Sequence, residues 1–133
     1  MLSSGLVQSL GDWVNEYHWD AFWTLTFEQN YGEQTVIRRV SRWADKHTIS
    51  EPGTMSWLFF LEMSGFGELH AHGLTRHESF SRRLMWDRWF KKNGRARSLK
   101  YDPELGANYY IAKYLTKQQL SWIIDGRGVG QGG

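Results

Sequence analysis

Hydrophobic positions change period several times along the chain, and each change marks an element. Leu6, Leu10, Trp13, Val14 and Tyr17 recur at helical spacing and predict an amphipathic first helix ending near residues 18–20. Phe22 to Phe27 (FWTLTF) is aromatic and β-branched and predicts a strand with Thr24 and Thr26 on one face. After Asn30-Tyr31-Gly32 the helical period returns in Val36, Ile37, Val40, Trp43 and Ala44, with Arg38, Arg39 and Arg42 outside that face. Residues 47–53, with Pro52-Gly53, connect to a large apolar run, Met55 to Met63 (MSWLFFLEM). Ser64 to Glu68 (SGFGE) supplies a turn and Leu69 to Leu74 (LHAHGL) a returning strand, so these segments form a β-hairpin.

Beyond the hairpin, residues 79–92 predict a helix with an apolar arc of Met85, Trp86, Trp89 and Phe90, ended by Asn93-Gly94. Residues 95–101 predict a short strand with Arg97 and Leu99 on one face, and Asp102-Pro103 opens a last helix running from Glu104 to about Gln119. Residues 1–125 are thus expected to make one domain, and 126–133 (GRGVGQGG) a flexible glycine-rich tail. The order of elements implies an α+β fold, an antiparallel sheet with helices packed mainly on one face.

Composition narrows the chemistry. The chain has 133 residues and no cysteine, which excludes disulfides, thiolate metal sites and cysteine nucleophiles. No apolar run reaches the roughly 18 residues of a membrane span, and the first residues lack the pattern of a secretory signal, so a cytoplasmic protein without a membrane partner is expected. The net charge of +2 hides a local excess. Arg76, Arg82, Arg83, Arg88, Lys91, Lys92, Arg95, Arg97 and Lys100 crowd one stretch against Glu78 and Asp87 alone, which suggests a polyanionic partner as well as a solvated helix face.

Two constellations carry candidate chemistry. His70 and His72, one residue apart on a strand, point to the same face and can grip one metal ion. With the turn centred on Phe66, Glu62 falls opposite His70, and one carboxylate with two imidazoles makes an open site for Mg²⁺, Mn²⁺ or another divalent ion. Should Glu62 face the other way, Glu68 shares the parity of the histidines. On the last helix, Tyr110, Lys113, Tyr114 and Lys117 fall within an arc of about 100°, so that tyrosines and lysines alternate on one stripe. Ammonium groups beside a phenol favour the phenolate and can steady a phosphate under attack. The same stripe also suits amphipathic side chains that snorkel at a sheet edge.

Taken together, FWTLTF at 22–27, His70-Ala71-His72 with Glu62 upstream, and Tyr110 to Lys117 (YIAKYLTK) resemble the three motifs of the HUH endonucleases, specifically the two-tyrosine rolling-circle replication initiators of small phages and plasmids. The metal motif precedes the tyrosines, as in the initiators and unlike the conjugative relaxases. Ala71 stands where the family usually has a bulkier apolar residue, and no helicase-like region follows, which implies a minimal protein or a nuclease fragment. The resemblance implies a ferredoxin- or RRM-like core with the tyrosine helix beside the metal site. It implies nicking and joining of single-stranded DNA at a replication origin through a 5′-phosphotyrosine, in a bacterial or archaeal host whose replication machinery extends the freed 3′-hydroxyl. Glu62, His70 and His72 would hold the metal; Tyr110 and Tyr114 would be nucleophiles supported by Lys113 and Lys117; Thr24, Thr26, Arg82, Arg83, Arg95 and Arg97 would contact DNA. Rival readings are a single-strand transposase of the same class, a non-catalytic single-strand-binding domain, and a metal-dependent hydrolase with no covalent intermediate.

Overall fold

The computed structural model describes residues 12, 17–48, 56–64, 66–77, 81–106, 109–110, 119–124 and 127–131. In chain order the elements are β1 (Ala21–Leu25), α1 (Glu33–His47), β2 (Trp57–Met63), β3 (Leu69–Thr75), α2 (Arg82–Lys92), β4 (Ala96–Lys100), β5 (Gln119–Ile124) and β6 (Arg127–Gln131). The fold is α+β. Four strands in the order β4-β1-β3-β2 form an antiparallel sheet, continued beyond β2 by β5 and β6.

Because side chains alternate along a strand, the register sorts each residue to one of two faces. Trp23, Leu25, Trp57, Phe59, Leu61 and Ala71 share the face covered by the helices. There α1 contributes Val36, Val40, Trp43 and Ala44, and α2 contributes Met85 and Trp89, all at helical spacing and all buried. Trp43 joins these layers: its ring meets Trp23 edge-on at 5.0 Å and Trp89 at 5.3 Å, and its indole donates to the Met85 carbonyl at 2.9 Å. Phe59 requires a gap beside it. A Cβ at Gly73, its partner on β3, would lie 2.3 Å from the Leu58 carbonyl oxygen and 2.4 Å from Phe59 Cδ1, so glycine lets the ring sit down on the sheet.

The hairpin loop explains the register of β2 and β3. Ser64 N–H donates to the Glu68 carbonyl, the Ser64 hydroxyl accepts from the amides of Phe66 and Glu68, and Gly67 takes a left-handed φ of 80°. Glu62 consequently stands opposite His70, as the turn predicts. α2 begins at Arg82 rather than residue 79, since the Ser81 hydroxyl caps it by accepting from Leu84 N–H at 3.1 Å.

The C-terminal third departs from expectation. Residues 106, 109 and 110 are helical, but Gln119 already belongs to β5, so the expected helix to about Gln119 ends short of it. β5 carries Leu120 and Trp122 to Ile124, residue types suited to a strand, and its main chain pairs an otherwise open edge of β2. Residues 127–131 form β6 against β5 instead of a free tail, because glycines can still pair through their amides and carbonyls. Of the expected first helix only residues 12 and 17–20 are described: residue 12 is helical, and residues 17–20 are not. Among the described residues no helix is long and apolar enough to cross a membrane.

Candidate metal and nucleic-acid site

The sheet face away from α1 and α2 carries a different set of side chains. Register places Arg97 of β4, Thr24 of β1, His72 of β3 and Phe60 of β2 in one row across it, with Leu99, Phe22, Leu74 and Leu58 in a neighbouring row and His70 opposite Glu62. His72 is the centre. Its Nδ1 lies 3.1 Å from the Thr24 hydroxyl and its Nε2 lies 3.3 Å from Glu62 Oε1. Both acid and base are largely buried, with side-chain exposures of 8% for His72 and 12% for Glu62, so little water competes for the pair.

The chemistry of this trio suits a cation. A hydroxyl can donate to Nδ1 or accept from Nδ1–H, so Thr24 steadies the ring in either tautomer. Two adjacent ligands at about 2.1 Å from a small divalent ion stand roughly 3.0–3.4 Å apart, and the observed 3.3 Å falls in that interval. Glu62 Oε2 is buried and has no hydrogen-bond partner, an acceptor that a cation would satisfy. The third expected ligand is not assembled. His70 is half-buried on the same face as Glu62, yet among the described residues no three histidine, aspartate or glutamate side chains gather into a metal-holding group. Glu62 reaches His72, its diagonal neighbour, rather than His70 directly across, as long side chains on a twisted sheet can. Glu68 is exposed beyond the turn, and Glu62 faces the histidines, so the substitute carboxylate is not needed.

Tyr110 comes to this face but not as an open nucleophile. Its ring stacks between Phe22 and Tyr101, at 5.2 Å from each, and Phe22 stacks in turn on His72 at 6.5 Å. The Tyr110 hydroxyl accepts from Asp102 N–H at 3.0 Å, and the residue is 4% exposed. A helical wheel puts Tyr110 on a polar stripe with the lysines; the stack with Phe22 of β1 and with Tyr101 buries it instead. Burial, with the neighbouring Tyr110 and Asp102, raises the pKa of Tyr101 and keeps it a neutral phenol. Tyr109 is partly exposed and meets Tyr110 edge-on at 5.3 Å. Lys113, Tyr114 and Lys117 lie outside the described residues.

The six expected DNA-contacting residues do not share one surface. Thr24 and the exposed Arg97 sit in the His72 row. Thr26 spends its hydroxyl on the Arg95 carbonyl at 3.1 Å, and the Arg95 side chain is exposed just before β4. Arg82 and Arg83 are on the helix side, where they line a cavity of about 530 Å³ with Trp86 and Ser98; Arg82 donates to the Ser98 carbonyl, and Arg83 pairs loosely with Asp87 at 3.8 Å. Sequence reasoning missed the packed role of Tyr101 and Asp102, for which the proximity of Asp102-Pro103 to the tyrosines was the only signal.

A scan against protein-family models and searches of curated proteins and of solved structures give no match to this chain.

Proposed function

We propose that the protein is a metal-dependent tyrosine nuclease of the HUH type, acting on single-stranded DNA as a rolling-circle replication initiator. The observation that carries this reading is the cluster of Thr24, His72 and Glu62 on the same sheet face as Tyr110, with an unpartnered carboxylate oxygen beside an imidazole. The antiparallel sheet with both long helices on its other face agrees with a ferredoxin- or RRM-like core of that class.

In this reading Glu62 and His72, with His70 on the same face as a third donor, would hold Mg²⁺ or Mn²⁺, which would supply charge stabilisation at a scissile phosphate. Arg97 lies on the same face to hold the neighbouring backbone phosphate. Tyr114, four residues after Tyr110 in the sequence, attacks phosphorus; the tyrosyl O–P bond forms, the bond to the 3′-oxygen breaks, the phenolic proton passes to solvent and the leaving oxygen takes one up. Lys113 and Lys117 favour the phenolate. The product is a 5′-phosphotyrosine and a free 3′-hydroxyl, and the same steps in reverse rejoin the strand. Tyr110, whose hydroxyl is buried, becomes the second nucleophile only after its bond to Asp102 N–H opens.

That same buried hydroxyl favours a second reading, a non-catalytic single-strand-binding domain in which Tyr110 is structural. Incubating the protein with mixed single-stranded oligonucleotides and Mn²⁺ and running a denaturing gel separates the two. A protein-linked DNA band that falls sharply in Tyr114→Phe and is absent when Tyr110 is also changed to Phe supports the nuclease; DNA binding without any such band supports the binding domain.

A further inference from the structure

The helix side of the molecule holds a second concentration of positive charge, and nothing in the nuclease reading uses it. Arg38, Arg42 and Lys46 follow one another at four-residue intervals on α1, so they form an exposed stripe. Across from them stand Arg88, Lys91 and Lys92 of α2, and between the helices runs a groove of about 400 Å³ with no acidic residue in its lining. Among the described residues, none of Arg38, Arg42, Lys46 and Lys91 pairs with a carboxylate. Charges of one sign gathered in this way repel one another and cost stability unless something anionic relieves them.

The groove floor is built to keep that charge in place. Arg39 donates to the Lys92 carbonyl and to Asn93 Oδ1 while its guanidinium lies 4.2 Å over the Tyr31 ring, and its Nε stays buried with no hydrogen-bond partner. His47 Nδ1–H donates to the Trp43 carbonyl at 2.7 Å, which leaves Nε2 to accept from Arg88 at 2.9 Å. Burial, with Arg88 and Lys46 beside it, holds the His47 pKa below the ordinary histidine value and keeps it the neutral acceptor that aims the Arg88 guanidinium.

Shape and position identify the occupant. The stripe from Arg38 to Lys46 runs about 12 Å along α1, the reach of roughly two to four successive phosphates of one strand. Trp43 is buried in the floor with its indole committed to Met85, so the groove presents cations rather than an aromatic platform for bases. It also does not end blindly. Lys91 and Lys92 lead in sequence to Arg95 and Arg97, all four exposed, and β4, which carries Arg97, is the edge strand of the sheet. A basic track therefore leads from the groove around the β4 edge to the row containing His72.

We infer that the groove between α1 and α2 is a second, sequence-independent binding track for a DNA strand, which holds the phosphates of a strand that passes around the β4 edge from the His72 face. This rests on the proposal that the His72 face receives DNA. The test compares wild type with the triple variant Arg38→Gln, Arg42→Gln, Lys46→Gln, whose exposed positions leave the core intact, on single-stranded oligonucleotides of about 8 and about 30 nucleotides, one below and one well above the footprint of a single compact site. Fluorescence anisotropy over a salt series should show wild type binding the longer strand on the order of tenfold or more tightly. The triple variant should lose that gain, its log-log salt slope for the longer strand falling by about 2, and should bind the shorter strand as wild type does.

Equal length gain and equal salt slope in both proteins would overturn the track, as would a variant weakened equally on both lengths. The adduct assay keeps the two claims apart. A wild type that makes no adduct yet shows the groove-dependent length gain removes the nuclease and keeps the track. An adduct-forming wild type with no length gain does the reverse.

Discussion

The two faces of the sheet are built from interleaved residues of the same strands, yet they do opposite work. On β1, Trp23 points into the helices and Phe22 and Thr24 point away; on β3, Ala71 and Gly73 serve the core while His70 and His72 take the other face. On the helix side nearly every contact is aromatic or aliphatic, and indole N–H groups find partners: Trp43 donates to the Met85 carbonyl and Trp23 to the Thr75 hydroxyl at 2.7 Å. On the other side a carboxylate oxygen is buried unsatisfied beside a histidine. The helix face thus holds only core side chains, whereas the other face mixes buried apolar residues such as Phe22, Leu58 and Leu74 with the His72–Glu62 pair.

Substitutions on the helix face should show the largest effect on stability. Trp23→Ala or Phe59→Ala removes a fully buried ring and should cost about 3–5 kcal/mol in denaturant unfolding. Gly73→Ala should cost about 1–3 kcal/mol by driving a methyl against Leu58 main chain. Unfolding midpoints equal to wild type in these variants would break the division between faces. On the other side, His72→Ala and Glu62→Gln should abolish strand cleavage, more than a hundredfold by analogy with lost charge stabilisation, while leaving circular dichroism and cooperative unfolding intact. A collapse of folding in Glu62→Gln would make the pair structural.

Smaller effects sharpen the contrast. Thr24→Val keeps the shape of the side chain but removes the hydroxyl that orients His72. It should weaken Mn²⁺ binding, measured by calorimetry, by about 10–100-fold with little change in melting temperature. The smallest effect belongs to His47. Its folded pKa lies below the unfolded value, so the unfolded chain binds more protons in the window between them. Its contribution to stability is therefore complete above about pH 6.5 and is lost as pH falls through the folded pKa. In metal-free protein, His47→Gln should flatten the fall in melting temperature between about pH 7 and pH 5 relative to wild type; an unchanged slope would show that another group governs it.

How much of this was legible in the sequence follows from the range of each interaction. The hairpin was readable because Ser64 to Glu68 encodes its own turn and alternation does the rest, so Glu62 could be set opposite His70 from spacing alone. The helical faces of α1 and α2 were readable for the same local reason. That His72, not His70, meets Glu62 was not readable, since diagonal reach depends on side-chain direction. Nor was the burial of Tyr110, which is imposed by Phe22 from far earlier in the chain and by Tyr101. β5 and β6 were missed because pairing decides their state, β5 with β2 and β6 with β5, and a wheel drawn over residues 104–119 has no knowledge of that edge.

The proposed nuclease makes the His72–Glu62 pair and the tyrosines at 110 and 114 parts of one catalytic site. Peptide mass spectrometry of protein incubated with Mn²⁺ and a cleavable single-stranded oligonucleotide tests it most directly. A 5′-nucleotide attached to Tyr114, with a smaller fraction on Tyr110, is expected, and neither modification in His72→Ala or in the presence of a chelator. Cleaved DNA with an unmodified tyrosine peptide, or an adduct that forms equally well in His72→Ala, would contradict it.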